Sequence, residues 1–442
     1  MSTKTKIYDI IILGGGIAGV YTMYTLLKTN PNLSILLLEA TERFGGRIYT
    51  TPKYHLEAGA GRFSSNHKHL LKLIKELGLE NKIQKSSASA EYLPVNNNQK
   101  SSTNNLPSIF SSILEIYTGN SVNHLTELIA TVVIASKLER KIYLQSVSFI
   151  NYAKTILSKE EIQYIKDAFG YYSELVIMNA HDSIQLIENL NPKNKFHVLQ
   201  DGLSQIIDEM ILKIKKIKPN QLILKHNHKV INIKREKTED KHDFIYSVNI
   251  ENGKVFYTNK IIAALPKQVL EKIPFFKSLK PDLKKIECAP LCRIYSKFKD
   301  KKWIQNLPKF TTNNNLRMVI PINAEKGTIM ISYTDNKYAD YWHELYKKEG
   351  IEKVDQKIAE LIKESTNITI PKPLETMVYY WSCGVGYWGI GADSEKISQK
   401  MVKPFDEEEI YICGEHYSEK NQQWMEGALE TSMSVLKNIM LK

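Results

Sequence analysis

Cysteine is scarce. The 442 residues hold four, Cys288, Cys292, Cys383 and Cys413. None forms a CxxC pair or zinc-finger spacing, which argues against a disulfide scaffold and against structural zinc. A reducing compartment is the expectation that follows. Long apolar runs are missing too. No stretch reaches the ~18 apolar residues of a bilayer span, and glycine breaks the run after Lys6 before it can serve as a signal segment. The chain therefore reads as soluble and cytoplasmic, with no membrane partner. Acid is in deficit, with Asp+Glu 48 against Lys+Arg 60 and a net charge of +12. That balance favours anionic partners in principle. However, the cations are spread out, and the densest run, residues 213–218, interleaves Ile and Lys as a solvated helix face does. Nucleic acid is not the expected partner. The even enrichment in Lys, Asn and Ile reads instead as a coding bias toward A and T. Packaging in a viral particle is the alternative location if the source is a large DNA virus.

What is present is ordinary for a folded protein. Hydrophobic residues make up 43% and charged residues 24%, which excludes a disordered or collagen-like chain. The length allows two or three domains at ~100–200 residues each. Residues 7–13, 17–28 and 34–39 read as strand, helix and strand, a β-α-β unit. Residues 70–77 are amphipathic, with Gly78 as the C-terminal cap. Residues 85–108 are Ser/Asn-rich and read as a mobile surface loop. Helical spacing prevails over 109–190, and a further helix runs to 218. Strands are expected at 222–224, 230–234, 244–250, 254–257 and 261–266. A second, antiparallel sheet is expected from 293–298, 318–321 and 328–333, then a helix at 354–364, a strand at 409–413 and a closing helix at 427–440.

The chemistry starts at Gly14-Gly15-Gly16-Ile17-Ala18-Gly19, a GxGxxG turn that follows a strand and opens a helix. Glu39 stands about 20 residues on, at the end of the next strand. Gly14 permits the tight turn, Gly16 admits a pyrophosphate to the backbone, and Gly19 lets helix and strand approach. The first N–H groups of the helix, at Ile17 and Ala18, favour the phosphates. Glu39 can accept both ribose hydroxyls. NAD and FAD both use this unit, so the continuation decides between them. It reads Glu39-Ala40-Thr41-Glu42-Arg43-Phe44-Gly45-Gly46-Arg47, with paired glycines for a second close approach and a planar donor in Arg47.

This extension resembles the flavin-dependent amine oxidase family, which includes monoamine, polyamine and L-amino-acid oxidases. The resemblance continues through Glu57-Ala58-Gly59-Ala60-Gly61-Arg62-Phe63, through Val230 and Ala263, through Gly414-Glu415-His416, and through Trp424-Met425-Glu426-Gly427-Ala428. It implies an α/β fold with a Rossmann-like FAD-binding domain of the glutathione-reductase type. A substrate domain with an antiparallel sheet and a helical subdomain completes the chain. The expected boundaries are 1–70, 196–288 and 405–442 for the FAD domain. Residues 71–195 are expected to form the helical part and 289–404 the sheet part. By the same resemblance, FAD is bound by Gly14, Gly16, Ile17, Ala18, Gly19, Glu39, Ala40, Arg43, Gly46, Arg47, Gly59, Ala60, Gly61, Arg62, Val230, Ala263, Gly414, Glu415, Trp424, Met425 and Ala428.

On the substrate side the resemblance implies two aromatic walls. Trp424 supplies one and either Tyr387 or Trp388 the other, with Trp381 behind. Arg62 is positioned to clamp a substrate carboxylate, as in amino-acid oxidases, or to bind the flavin, or to pair with Glu57. Arg293 falls where the family usually has a lysine that holds a water. Arginine stays protonated and cannot act as a base, so its role is to hold that water. Cys383 follows Trp381 too soon to match the cysteine that attaches FAD covalently in some relatives, so FAD is expected to be non-covalent. His181 has a counterpart in some amino-acid oxidases but is not placed in the site. The implied reaction is oxidative deamination of an L-amino acid by hydride transfer to flavin N5, with O2 as acceptor and H2O2 as product. A monoamine or polyamine oxidase is the alternative, as is a flavoprotein whose catalysis is weakened by Arg293. The assembly is expected to be a monomer or homodimer, and no metal is expected.

Overall fold

The apolar run at the start of the chain forms the strand Ile7–Leu13, in which Ile10 to Leu13 are almost completely buried. That continuous burial marks a strand covered on both faces. The helix Ile17–Thr29 and the fully buried strand Ile35–Leu38 complete the β-α-β unit. The computed structural model describes residues 6–86, 90–95, 124–189, 195–219, 223–237, 244–305 and 307–440. Most of the expected Ser/Asn-rich loop, the first part of the expected helical stretch (109–123) and Leu222 lie outside the described residues.

The chain divides into two units. The first is Met1–Ser86, Lys195–Ile286 and Ala392–Lys442; the second is Ser87–Asn194 and Glu287–Gly391. Among the described residues, the first unit is built on a seven-stranded sheet. Its strand order is Leu224–Lys225, Ile35–Leu38, Ile7–Leu13, Val255–Ala263, Phe244–Ile250, Val230–Lys237, and Ile410–Ile412 pairs with Val255–Ala263 as well. Residues 254–257 and 261–266, read as two strands, yield one strand, Val255–Ala263. Its first part pairs antiparallel with Phe244–Ile250 and its last part parallel with Ile410–Ile412. The partner changes without a turn, which is why pattern alone divides it.

Register is what matters for a site. Leu13 lies opposite both Leu38 and Ala263, and Ala263 lies opposite Ile412. Four parallel strands therefore end at one level, and the residues after each emerge on one edge. Ligands of open α/β sheets bind outside that carboxyl edge. The helices Ile17–Thr29, Ser204–Ile217 and Met425–Met440 belong to this unit. Its core includes Val20, Met23, Leu27, Ile206, Met210 and Leu429. The helix Lys68–Glu76 joins the same core through Leu70, Leu73 and Ile74, and Ile83–Ser86 pairs with Phe196–Leu199. Residues 71–86, read as part of the helical region, thus lie in the first unit.

The second unit holds a sheet ordered Glu375–Trp388, Ile286–Lys297, Thr328–Asp335, Met318–Asn323, Phe310–Thr311, Glu91–Tyr92. The strand Glu375–Trp388 has no counterpart in the sequence reading, because most of it is half-buried and shows no clean alternation. The helix Asn336–Thr366 covers a core of Cys292, Ile294, Ile331, Trp342 and Ile358, and Gly350 interrupts it at φ 79°. A separate helical core gathers Leu128, Val132, Phe149, Ile165 and Leu175. No helix among the described residues is long and apolar enough to cross a membrane.

One expectation is corrected. Cys288 and Cys383 form a disulfide, with Cα atoms 5.2 Å apart and a sequence separation of 95. Spacing rules look for neighbours along the chain, whereas these two cysteines sit on adjacent strands of one sheet. The basis for expecting a reducing compartment goes with the expectation. Closing so long a loop stabilises by roughly 2–4 kcal/mol through the unfolded state. Peptide mapping without reductant should recover the Cys288–Cys383 link, and dithiothreitol should lower the unfolding free energy by about that amount.

Candidate active site

The carboxyl edge of the first sheet brings the glycine turn together with Glu39. Gly14 N–H donates to the Leu38 carbonyl at 2.8 Å, tying the turn to the end of the next strand. Glu39 is buried, and its carboxylate accepts from Gly15 N–H at 2.7 Å and Thr41 N–H at 2.8 Å. At Gly19 a Cβ would lie 2.0 Å from the Gly14 carbonyl oxygen, so no larger residue fits. At Gly16 a Cβ would meet nothing within 4 Å. No side chain caps the helix Ile17–Thr29 and no acid stands in its first turn, so the N–H groups near Ile17 and Ala18 face that open space uncapped. A concave, uncapped helix start is an anion site in its chemistry.

The second glycine pair packs on the first. Gly45 N–H donates to the Gly15 carbonyl at 2.8 Å, and a Cβ at Gly46 would come within 3.3 Å of Gly16 Cα. Arg43 braces this loop, donating to the carbonyls of Gly46 at 2.6 Å and Ile48 at 3.1 Å. Its guanidinium also lies over the Tyr49 ring. Ala40 follows Glu39 and is exposed. His228 N–H donates to the Glu39 carbonyl at 2.8 Å, which brings Val230, at the start of its strand, to the Glu39 end of the sheet.

Glu415 is a hub. Its carboxylate pairs with Arg47, receives His416 Nε2 at 3.1 Å, and accepts Gln423 N–H at 2.8 Å. Lys267 N–H donates to His416 Nδ1 at 3.2 Å, which leaves the ring proton on Nε2, facing Glu415. Burial pushes the Glu415 carboxyl up, but His416, Arg47 and the Gln423 amide outweigh it and hold it at about 2. Burial pushes His416 below its ordinary value against the pull of Glu415. Gln423 sits at φ 72°, in the left-handed region, directly before Trp424. Glu415 therefore fixes the turn that carries Trp424.

The pH consequence has a definite sign. A carboxyl held at about 2 instead of 4.5 contributes on the order of 3 kcal/mol, present above about pH 4.5 and lost as pH falls toward 2. His416, also depressed, adds a loss that begins near pH 6.5. Arg47→Gln should remove roughly 3 kcal/mol at neutral pH, because it strands a buried carboxylate. It should also flatten the acid limb. Chemical denaturation across pH 3–7 checks both.

Arg62, Phe196 and Trp424 converge within the first unit. The Arg62 guanidinium lies 4.2 Å from the Phe196 ring centroid, and the Trp424 ring stacks on Phe196 at 6.0 Å with 16° between planes. His67 meets Trp424 edge-on at 4.9 Å. Burial lowers His67 to about 4, and its Nδ1 accepts Ser64 N–H at 3.2 Å, so it is a neutral ring with its proton on Nε2. Phe196 and His67 are absent from the sequence reading. The available signal was their position, His67 just after the Gly59–Phe63 segment and Phe196 just before Gly202. Gly59 is buried, Ala60 N–H donates to the Arg47 carbonyl at 2.8 Å, and Gly61 is half-buried. Gly414 N–H is held by Thr431 Oγ1 at 2.9 Å, Met425 and Ala428 are buried at the start of the closing helix, and Ala263 ends its strand at the same edge. Glu426 reaches back to cap the helix Lys68–Glu76, accepting His69 and Leu70 N–H at 2.9 Å each.

The other expected residues belong to the second unit. Arg293 is buried in its strand opposite Tyr333, and its guanidinium lies 4.6 Å from that ring's centroid. Tyr171 meets Tyr333 edge-on at 5.6 Å. Trp388 is fully buried, and its carbonyl accepts Asn179 N–H at 3.0 Å. Tyr387 is also buried, with its hydroxyl bonded to Ser173. Burial, then the carboxylates of Glu174 and Asp335, push that phenol well above the ordinary tyrosine range. Trp381 is half-buried, as is His181. Tyr333, half-buried beside Arg293, is the aromatic that the sequence reading misses.

A family profile described as flavin containing amine oxidoreductase matches residues 17–436. The chain belongs to this family. Flavin containing amine oxidoreductases act on CH–NH2 or CH–NH bonds, and the enzyme uses a flavin. Aplysianin-A of Aplysia kurodai is 21% identical over 97% of this chain and 90% of its own length. The flavin-containing amine oxidase A of Bos taurus is 36% identical over 82 residues, 18% of this chain and 15% of that protein. A putrescine oxidase structure bound to putrescine superposes with a TM-score of 0.73 at 15% identity, covering 99% of this chain and 100% of that one; at that identity the likeness is one of fold. The family's cofactor fits the residues present. The open space at Gly16, the uncapped helix start and the anchored Glu39 carboxylate offer sites for a diphosphate and a ribose.

Proposed function

We propose that this amine oxidoreductase acts on L-amino acids, with FAD held non-covalently in the first unit. Amino acid, O2 and water would give the 2-oxo acid, ammonium and H2O2. The observation that carries this reading is the meeting of Arg62 and Trp424 on one Phe196 ring. It sets a bidentate carboxylate donor beside an aromatic wall. A dicationic polyamine gains nothing from a cation there, whereas an amino acid needs its carboxylate held.

The flavin supplies the two-electron acceptor. Gly16, Ile17, Ala18 and Gly19 would hold its diphosphate, Glu39 its adenosine ribose and Glu415 its ribityl chain. The N-terminal end of the closing helix, at Met425 to Ala428, supplies positive potential near the same edge. Arg62 orients the substrate carboxylate and Trp424 limits the approach of the amine. His67, neutral with an Nε2 proton, stiffens the Trp424 ring. Arg293 would hold a water without serving as a base. Non-covalent attachment is supported by the cysteines. Two are joined to each other, and burial pushes the thiols of Cys292 and Cys413 up to about 12 and about 11. Such thiols are poor nucleophiles.

The arginine at 293 favours one other reading, a flavoprotein without amine turnover. Absorption spectra of the purified protein under anaerobic conditions separate the cases. Bleaching by pooled L-amino acids is the expected result. Bleaching by pooled amines alone would make it a monoamine or polyamine oxidase, and a flavin band that neither pool bleaches would leave the non-catalytic reading.

A further inference from the structure

Away from every residue used above, the helical part of the second unit carries an apolar surface. The helix His124–Ser136 passes to Lys141–Gln145 through a tight turn. Leu138 on that turn is 92% exposed and Ile142 is 75% exposed, with Ile134 and Tyr143 exposed beside them. The patch continues into an open cleft of about 600 Å³ between Ala135, Tyr143, Tyr152 and Ile156. The turn is internally hydrogen-bonded: the N–H groups of Lys137, Leu138 and Glu139 donate to the carbonyls of Ile134, Ala135 and Ser136, each at 3.1 Å. Arg140 and Lys141 are exposed beside the apolar tips, next to one acid, Glu139, while Lys137 is exposed but pairs with Glu188 at 2.6 Å.

We propose that this turn docks the enzyme on an anionic phospholipid surface. Two nearly bare aliphatic side chains on a preformed turn are suited to entering the acyl boundary. Cations beside them complement anionic headgroups at the depth where those groups lie. The composition disfavours a protein partner. Protein interfaces are depleted in lysine at their core, and four apolar side chains fall well short of the ~800 Å² that each partner gives to a stable dimer. This is surface attachment and requires no spanning helix.

The test is flotation of the full-length, flavin-loaded protein with vesicles of phosphatidylcholine alone or mixed with phosphatidylserine. The wild type should float with the mixed vesicles, more weakly at high salt, and little with phosphatidylcholine. The double variant Leu138→Asp/Ile142→Asp should lose about tenfold or more in partitioning, with its flavin spectrum unchanged. Arg140→Gln, at an exposed position, should weaken binding severalfold at low salt, so the idea is testable even if the double variant folds poorly. Failure of the wild type to prefer phosphatidylserine, or equal flotation of all three proteins, would overturn the proposal. So would a wild-type dimer that the double variant dissociates without any vesicle binding, which would give the patch to a second copy of the chain.

Discussion

Gly16→Ala is expected to yield a folded protein that no longer retains flavin. The backbone there is ordinary, with φ −72° and ψ 179°, so alanine is conformationally acceptable. Its Cβ would touch nothing within 4 Å. Among the described residues it obstructs nothing, so what it would exclude is a ligand seated at the helix start. Excluding a diphosphate from close backbone contact should weaken FAD by about 100-fold or more, combining a steric clash with lost N–H contacts. Gly19→Ala is the contrasting case, since its Cβ would collide with the Gly14 carbonyl and the turn itself would fail. Flavin absorbance after gel filtration, read with the thermal midpoint, distinguishes them. Full flavin occupancy in folded Gly16→Ala would mean that the diphosphate lies elsewhere.

Arg62→Met should lower kcat/KM for L-amino acids by about 10²–10³-fold, the scale of a lost bidentate, charge-assisted pair. Methionine keeps an aliphatic stem against Phe196, so the packing next to Trp424 is largely preserved. Arg62→Lys keeps the charge but loses the fork, and should cost about tenfold. For amines without a carboxylate neither change should matter, and that contrast is the decisive readout. Most of the loss should appear in KM, as expected for a contact present before the chemical step. An equal fall for amines and amino acids would make Arg62 a structural support for the Phe196 ring.

How much of this was legible depended on how locally the information is written. The β-α-β unit, the glycine turn and Glu39 lie within 40 residues, and their pattern gives both structure and chemistry. The closing block at Gly414–Glu415 and Trp424 is equally compact. What the sequence could not disclose is made by distant segments. Arg47 and Glu415 are 368 residues apart, and Glu426 caps a helix that begins at Lys68. The Phe196 ring that joins Arg62 to Trp424 comes from a third segment. Tyr387 and Trp388 show a different limit. Aromatics adjacent in a strand offer both faces as candidates, and here both are buried, whereas Tyr333 stands half-exposed beside Arg293. Cys288 and Cys383 were misread because sheet order, not chain order, makes them neighbours.

The strand order of the first sheet has a consequence for how the protein is made. Ile7–Leu13 is translated close to its neighbour Ile35–Leu38, yet its other partner Val255–Ala263 comes some 240 residues later, and Ile410–Ile412, which pairs with Val255–Ala263, about 150 residues after that. At ~5–20 residues per second, this strand, whose Ile10 to Leu13 are buried in the finished sheet, waits roughly 10–50 seconds for Val255–Ala263. The helix Lys68–Glu76 likewise waits for Glu426. Segments translated early are thus completed by segments translated much later, and losing Ile410–Ile412 or Glu426 would take a strand partner and a helix cap from parts made long before.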